Sequence, residues 1–142
     1  MTPVVAEARR WIGTPYVHQA SVCQVGTDCL GLIRGIWRCL HGDEPETPPA
    51  YSADWSDLNK VDPLRAAMAR HLEPVDDRCL RSGDVLLFRM GGGAAAKHLG
   101  VCGEADTDPT FIHAYARHGV VESPLAAPWV RRIVARFAFQ RG

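Results

Sequence analysis

Cys29 directly follows Asp28, and the residues after it place apolar side chains at Leu32, Ile33, Ile36, Trp37 and Leu40, the spacing of one helical face. A helix therefore begins near Asp28, and Cys29 stands inside its first turn, where the backbone amides are unpaired. The positive end of the helix dipole favours a thiolate there, which makes Cys29 a candidate nucleophile. Two histidines lie far downstream. His98 opens the strand-like run 97–102 and His113 lies inside the run 110–114. Adjacent antiparallel strands bring the two imidazoles within one hydrogen bond, and a helix packed across them points Cys29 at His98. A nucleophile, a base and a group that orients the base are the parts of thiol-based acyl transfer.

The elements that must position these groups are readable. Pro3, Val4, Val5, Ala8, Trp11 and Ile12 predict a short helix, with Pro at its start and Gly13 at its end. Residues 14–27 read as a loop. The Cys29 helix closes at His41 and Gly42, a favourable C-terminal pair. Residues 42–62 form an acidic, Pro-rich excursion carrying Tyr51 and Trp55, and loops of that length are often functional. Asp62 and Pro63 open a helix through about His71. From Gly83 the pattern turns to strands at 84–90, 97–102, 110–114, 119–123 and 133–139, which read as an antiparallel meander. Helices first and strands later imply an α+β layer arrangement in a single domain over residues 1–142.

Composition narrows the function classes. Sixteen basic against sixteen acidic residues give zero formal net charge, which argues against phosphate-driven nucleic-acid binding and against a basic membrane-surface module. No apolar run approaches the ~18 residues of a membrane span. Glu7, Arg9 and Arg10 stand where a secretory signal needs its apolar stretch, so cytoplasmic synthesis without a signal peptide is expected. Five cysteines are an odd count, and Cys23, Cys29 and Cys39 lack zinc-site spacing; neither a disulfide framework nor a metal or cofactor is expected. Cys39, Cys79 and Cys102 read as small core residues, and Cys23 as an incidental loop thiol. His18, His41, His71 and His118 receive no catalytic role. Gly91, Gly92 and Gly93 lack the Lys-Ser/Thr of a phosphate loop and read as a flexible rim beside His98.

Several runs taken together resemble the NlpC/P60 cysteine peptidases: Gly13, Thr14, Pro15, Tyr16; then Asp28, Cys29, Leu30, Gly31, Leu32; then Gly83, Asp84, Val85, Leu86; then His98, Leu99, Gly100, Val101; and Phe111, Ile112, His113, Ala114. His18 to Ser21, the run from Asp28 to Arg38, and Glu44 to Glu46 followed by Tyr51 and Trp55 are similar to the cell-wall peptidases of phage tails and gene transfer agents in that family. The likeness spans roughly residues 3–139.

The resemblance implies a papain-like NlpC/P60 fold, with the nucleophile at a helix N-terminus packed on an antiparallel sheet of about five to six strands. Cys29 would be the nucleophile, His98 the base and then the acid, and His113 the group orienting His98. Tyr16 would assist the oxyanion beside the Cys29 amide, one such donor being worth about 3–4 kcal/mol of barrier. Asp28 would remain available to pair with a substrate ammonium. The implied reaction is hydrolysis of a peptidoglycan stem-peptide amide, between D-γ-glutamyl and diaminopimelate, through a thioester. The implied setting is a phage-like tail that delivers the enzyme to the periplasm, with the 42–55 excursion docking on tail hub or baseplate proteins. Leu30 stands where many wall-cutting relatives have Ser, and His18-Gln19 replace a common glycine pair; both bear on specificity. A catalytically silent tail component with the same fold is the alternative from another class. A permuted acyltransferase is disfavoured because Cys precedes His.

Overall fold

A computed structural model describes residues 2–45, 63–75, 77–90 and 96–140. Tyr51, Trp55 and the glycine run 91–93 lie outside the described residues. The first helix, α1 (Pro3–Arg10), starts where Thr2 Oγ1 accepts from the Val5 amide at 3.1 Å. It ends at Trp11, with Gly13 at φ +94° turning the chain. Segment 14–27, expected as a loop, holds a small hairpin of β1 (Ser21–Val22) and β2 (Gly26–Thr27). Strands of this length are too short to show alternation, which is why the sequence pattern passed over them. Helix α2 (Cys29–His41) begins and ends as its caps dictate, on Asp28 and on Gly42 at φ +86°. Helix α3 (Pro63–His71) follows.

The large sheet is antiparallel throughout. Its strands are β3 (Glu73–Pro74), β4 (Val85–Arg89), β5 (Ala96–Cys102), β6 (Thr110–Tyr115), β7 (Gly119–Pro124) and β8 (Ile133–Ala138), in the order β3-β8-β4-β5-β6-β7. Strands β4 to β7 are the expected meander. The last strand departs from it: after the short helix α4 (Ala127–Val130), β8 crosses back to the free edge of β4, pairing Leu86 with Arg136. Val85, Leu86, Leu87 and Phe88 are all fully buried, so β4 needs a partner on each edge and cover on each face.

Two apolar clusters sandwich the sheet. Leu32, Ile33 and Ile36 of α2 pack with Val85, Leu87, Leu99, Val101, Ile112 and Ala114 on one face. Leu86, Phe88, Cys102, Phe111 and Leu125 form the second cluster, with Trp129 against it. The alternation along β4 is the period of a strand buried on both faces. All five cysteines are free thiols; Cys102 is buried as expected, but Cys39 and Cys79 are exposed, correcting their reading as core residues. Cys39 lies one position off the apolar stripe of α2, and Cys79 lies in the turn region before β4, so neither reaches the core.

Helix α1 meets α2 where Trp11, 2% exposed, lies over Gly35. A methyl at residue 35 would overlap the six-membered ring of Trp11, whose Nε1 is held by Glu7 Oε2 at 3.0 Å. Gly35→Ala is therefore expected to destabilise the fold by about 1–3 kcal/mol, read from the urea unfolding midpoint. An unchanged midpoint would show that α1 can move away from α2 at no cost.

Candidate active site

Asp28 fixes where α2 begins. Its Oδ1 accepts from the Gly31 amide at 2.8 Å and its Oδ2 from the Gln19 amide at 2.7 Å, with His18 Nδ1 at 3.9 Å from Oδ2. Gly31 permits this arrangement, because a Cβ there would collide with the Ala20 carbonyl and Thr27 Oγ1. The Asp28 side chain is only 3% exposed. The carboxylate expected to await a substrate ammonium is turned inward, onto the protein's own backbone.

Cys29 occupies the first position of α2 and is 7% exposed. Its sulfur is faced by the backbone amides of Leu99, Leu30 and Cys29 itself. The Leu99 amide is available because β5 and β6 separate: their ladder is recorded only at Val101–Ile112 and Cys102–Phe111. Backbone groups two residues apart on a strand point to the same side, so Leu99, two before Val101, directs its N–H into the gap beside β6. The helix N-terminus brings Cys29 to that gap.

His98 and His113 meet as expected. His98 Nε2 lies 2.8 Å from His113 Nδ1, and His113 Nε2 lies 2.9 Å from Ser123 Oγ. Aromatic rings hold the pair: Phe111 stacks on His113 at 4.1 Å, and Phe88, Tyr115 and Trp129 lie 5.9, 6.1 and 5.8 Å from the His98 ring. Among the described residues no hydrogen bond joins Cys29 Sγ to a His98 ring nitrogen. The residue whose amide faces the sulfur, Leu99, directly follows His98 in the chain. With Nε2 engaged by His113, Nδ1 is the remaining His98 ring nitrogen. Catalytic hydrogen bonds are often long in unliganded sites and tighten when substrate binds.

Burial controls the charge state. It pushes the Cys29 thiol up to about 12, and the neighbouring Asp28 charge adds to the rise. The three backbone amides act the other way without cancelling it. The thiolate expected at a helix N-terminus is therefore not the resting form. Burial likewise lowers His98 to about 3, with His113 contributing, and His113 to about 4, with His118 contributing. Tyr16 bridges to Thr27 and is raised to about 12 by burial, then by Cys29 and Asp28. It stays a protonated donor in the neighbourhood of the sulfur, the form an oxyanion needs.

Comparison with known proteins places this geometry. Residues 13–137 match the NlpC/P60 family. The chain belongs to that family. A probable endopeptidase of Haemophilus influenzae is 26% identical over 123 residues, covering 87% of this chain and 64% of that protein. The gamma-DL-glutamyl hydrolase of Bacillus subtilis is 28% identical over 99 residues, 70% of this chain and 20% of that protein. This chain thus spans less than two thirds of either relative. Among solved structures, the NlpC/p60 domain of the peptidoglycan hydrolase SagA superposes with a TM-score of 0.61 at 21% identity, covering 98% of this chain and all of that one. An NlpC/P60 family protein of Bacillus cereus gives 0.63 at 20% identity, covering 94% of this chain and 38% of that one. These likenesses confirm the α+β papain-like fold.

Sequence reasoning missed two groups that the structure places beside Cys29 and His113. The Leu99 amide depends on where a ladder opens, which no residue type announces. Ser123 had a weak signal, a hydroxyl on the strand that follows the His113 strand.

The two lowered histidines give the fold a pH dependence whose sign follows from linkage. Each binds its proton less readily folded than at the ordinary value of 6.5, so the unfolded chain takes up more protons. Their contribution is complete above pH 6.5 and is lost as pH falls toward about 4 and about 3. At about pH 5 the loss is on the order of 2 kcal/mol per histidine, from ~1.4 kcal/mol per pH unit. Glu44 and Glu122, held below 4.5, add their loss only at lower pH. Urea unfolding between pH 7 and 5 is expected to show this fall, and His98→Gln/His113→Gln is expected to flatten it. Parallel curves would contradict neutral burial of the pair.

Proposed function

We propose that this NlpC/P60 domain is a cysteine endopeptidase that hydrolyses a peptidoglycan stem-peptide amide, between D-γ-glutamyl and diaminopimelate, through a thioester. The observation that carries this reading is the Cys29 sulfur at the start of α2, against the amide of Leu99, the residue after His98 of the His98–His113 pair. The naming of one relative as a gamma-DL-glutamyl hydrolase and of one structural neighbour as a peptidoglycan hydrolase supports the substrate class.

The chemistry follows from neutral resting groups. As Sγ attacks the carbonyl carbon, the S–H bond breaks and its proton passes to His98 Nδ1. Neither an isolated thiolate nor an isolated imidazolium has to exist in the dry site beforehand. The developing oxyanion takes the Cys29 amide and the Tyr16 hydroxyl. His98 then returns the proton to the leaving amine, and the same nitrogen activates water to open the thioester. His113 is a positioning residue that holds the His98 ring through the Nε2–Nδ1 contact. Asp28 shapes the helix start that presents Cys29. Leu30, where many wall-cutting relatives have Ser, is buried in the apolar cluster beneath α2 and offers a substrate no hydrogen bond.

The biological setting within the proposal is a phage-like tail that carries the enzyme to the periplasm of a target cell. It rests on the likeness of residues 28–38 and 44–55 to the phage-type subgroup, with residues 42–55 docking on hub or baseplate proteins. A silent tail component with the same fold is the second reading, favoured by the burial of Cys29. Because burial holds Cys29 protonated, a small alkylating agent reads both alternatives alike; substrate turnover separates them.

Purified sacculi digested with wild type are expected to release soluble fragments bearing a new diaminopimelate amino terminus, identified by mass spectrometry. Cys29→Ala and His98→Ala are expected to reduce release by about 1000-fold or more. Equal release by wild type and Cys29→Ala would sink the assignment.

A further inference from the structure

The strand after His113 places a hydroxyl on the far nitrogen of that ring. In the β6–β7 register Phe111 pairs with Ser123 and His113 with Val121. Phe111, His113 and Ser123 therefore share one face of the sheet, and Ser123 is the diagonal cross-strand neighbour of His113. Ser123 Oγ lies 2.9 Å from His113 Nε2, and His113 Nδ1 lies 2.8 Å from His98 Nε2, so one chain of hydrogen bonds runs from β7 to β5. The adjoining residue anchors β7: Glu122 accepts from Arg9 Nε at 3.0 Å and from Thr110 Oγ1 at 2.6 Å.

Each neutral imidazole carries one N–H, so this chain has two self-consistent arrangements. In the first, His113 Nε2–H donates to Ser123, His113 Nδ1 is bare and accepts from His98 Nε2–H, and His98 Nδ1 is bare. In the second, Ser123 donates to a bare His113 Nε2, His113 Nδ1–H donates to His98 Nε2, and His98 Nδ1 already carries a proton. Only the first leaves His98 a base for the Cys29 proton. We propose that Ser123 is a positioning residue that accepts from His113 Nε2–H and thereby holds His98 in the tautomer with a bare Nδ1. The catalytic consequence rests on the peptidase reading above; the tautomer itself does not.

The half-buried setting of Ser123 supports acceptance. Its own O–H can turn to water while its lone pair serves the ring. With Ser123→Ala, an Nε2–H on His113 would face a methyl group, and a buried donor left without an acceptor is disfavoured. The His113 proton then moves to Nδ1, donates to His98 Nε2, and forces the His98 proton onto Nδ1.

The test is nitrogen-15 NMR of the histidine rings at about pH 8, where ordinary imidazoles are neutral, with kinetics on the same samples. Wild type is expected to show His98 and His113 both as Nε2–H tautomers, and Ser123→Ala to move both toward Nδ1–H. Ser123→Thr, which keeps the hydroxyl, is expected to restore the wild-type pattern. On stem-peptide substrate, Ser123→Ala is expected to lose about tenfold in kcat with KM changed by less than about twofold, and Ser123→Thr to recover most of it. An Nδ1–H tautomer on His98 in wild type would overturn the proposal whether or not any variant folds, as would unchanged tautomers in Ser123→Ala. Wild type without turnover but with the expected tautomer shift would overturn the peptidase reading and leave the Ser123 assignment standing.

Discussion

The site depends on a helix start being held at an opening in a sheet. Asp28 caps α2 through the Gly31 amide and ties the preceding loop through the Gln19 amide, which sets Cys29 as the first helical residue. The ladder between β5 and β6 releases the Leu99 amide at the same place. If the cap failed, the helix would start elsewhere and the sulfur would leave the gap. If the ladder continued, the Leu99 amide would be taken by β6. Small residues make the approach possible, Gly31 against the Ala20 carbonyl and Gly35 beneath Trp11.

Two opposing effects act on the sulfur, and their sizes decide the resting state. A helix N-terminus is worth roughly 0.3–1 kcal/mol to a nearby anion, and up to about 2 when partly buried. Burial, with the Asp28 charge adding to it, moves the thiol from 9.0 up to about 12 against the three facing amides. Burial wins. The same dryness keeps His98 and His113 uncharged. In the proposed reaction, proton transfer accompanies attack, and the charge that appears is received by the Cys29 amide, Tyr16 and the histidine pair.

Much of this was legible in residue order, for identifiable reasons. The α2 boundaries follow from Asp28, an apolar period through Leu40, and Gly42, all local signals. His98 and His113 fall on adjacent strands because short connections make consecutive strands neighbours. What escaped was non-local. The return of β8 to β4 depends on both edges of a doubly buried strand needing partners. The exposure of Cys39 and Cys79 depends on which way a helix face and a turn lie against the core. The thiolate expected at Cys29 followed from the helix alone, and the depth of burial reversed it. Asp28 was read as available to a substrate ammonium because its two backbone donors come from different segments, only one of them in its own helix.

The claim beneath the account is that Cys29 forms the covalent intermediate, and rapid-quench mass spectrometry measures it directly. The enzyme is mixed with a peptide containing the D-γ-glutamyl-diaminopimelate bond, stopped in acid within the first turnover, and mapped by proteolysis. A glutamyl acyl group on the peptide carrying Cys29, absent when His98 is replaced by Ala, is the expected result. Cleavage of the substrate with no acyl group on Cys29, or with one on another side chain, would contradict the account.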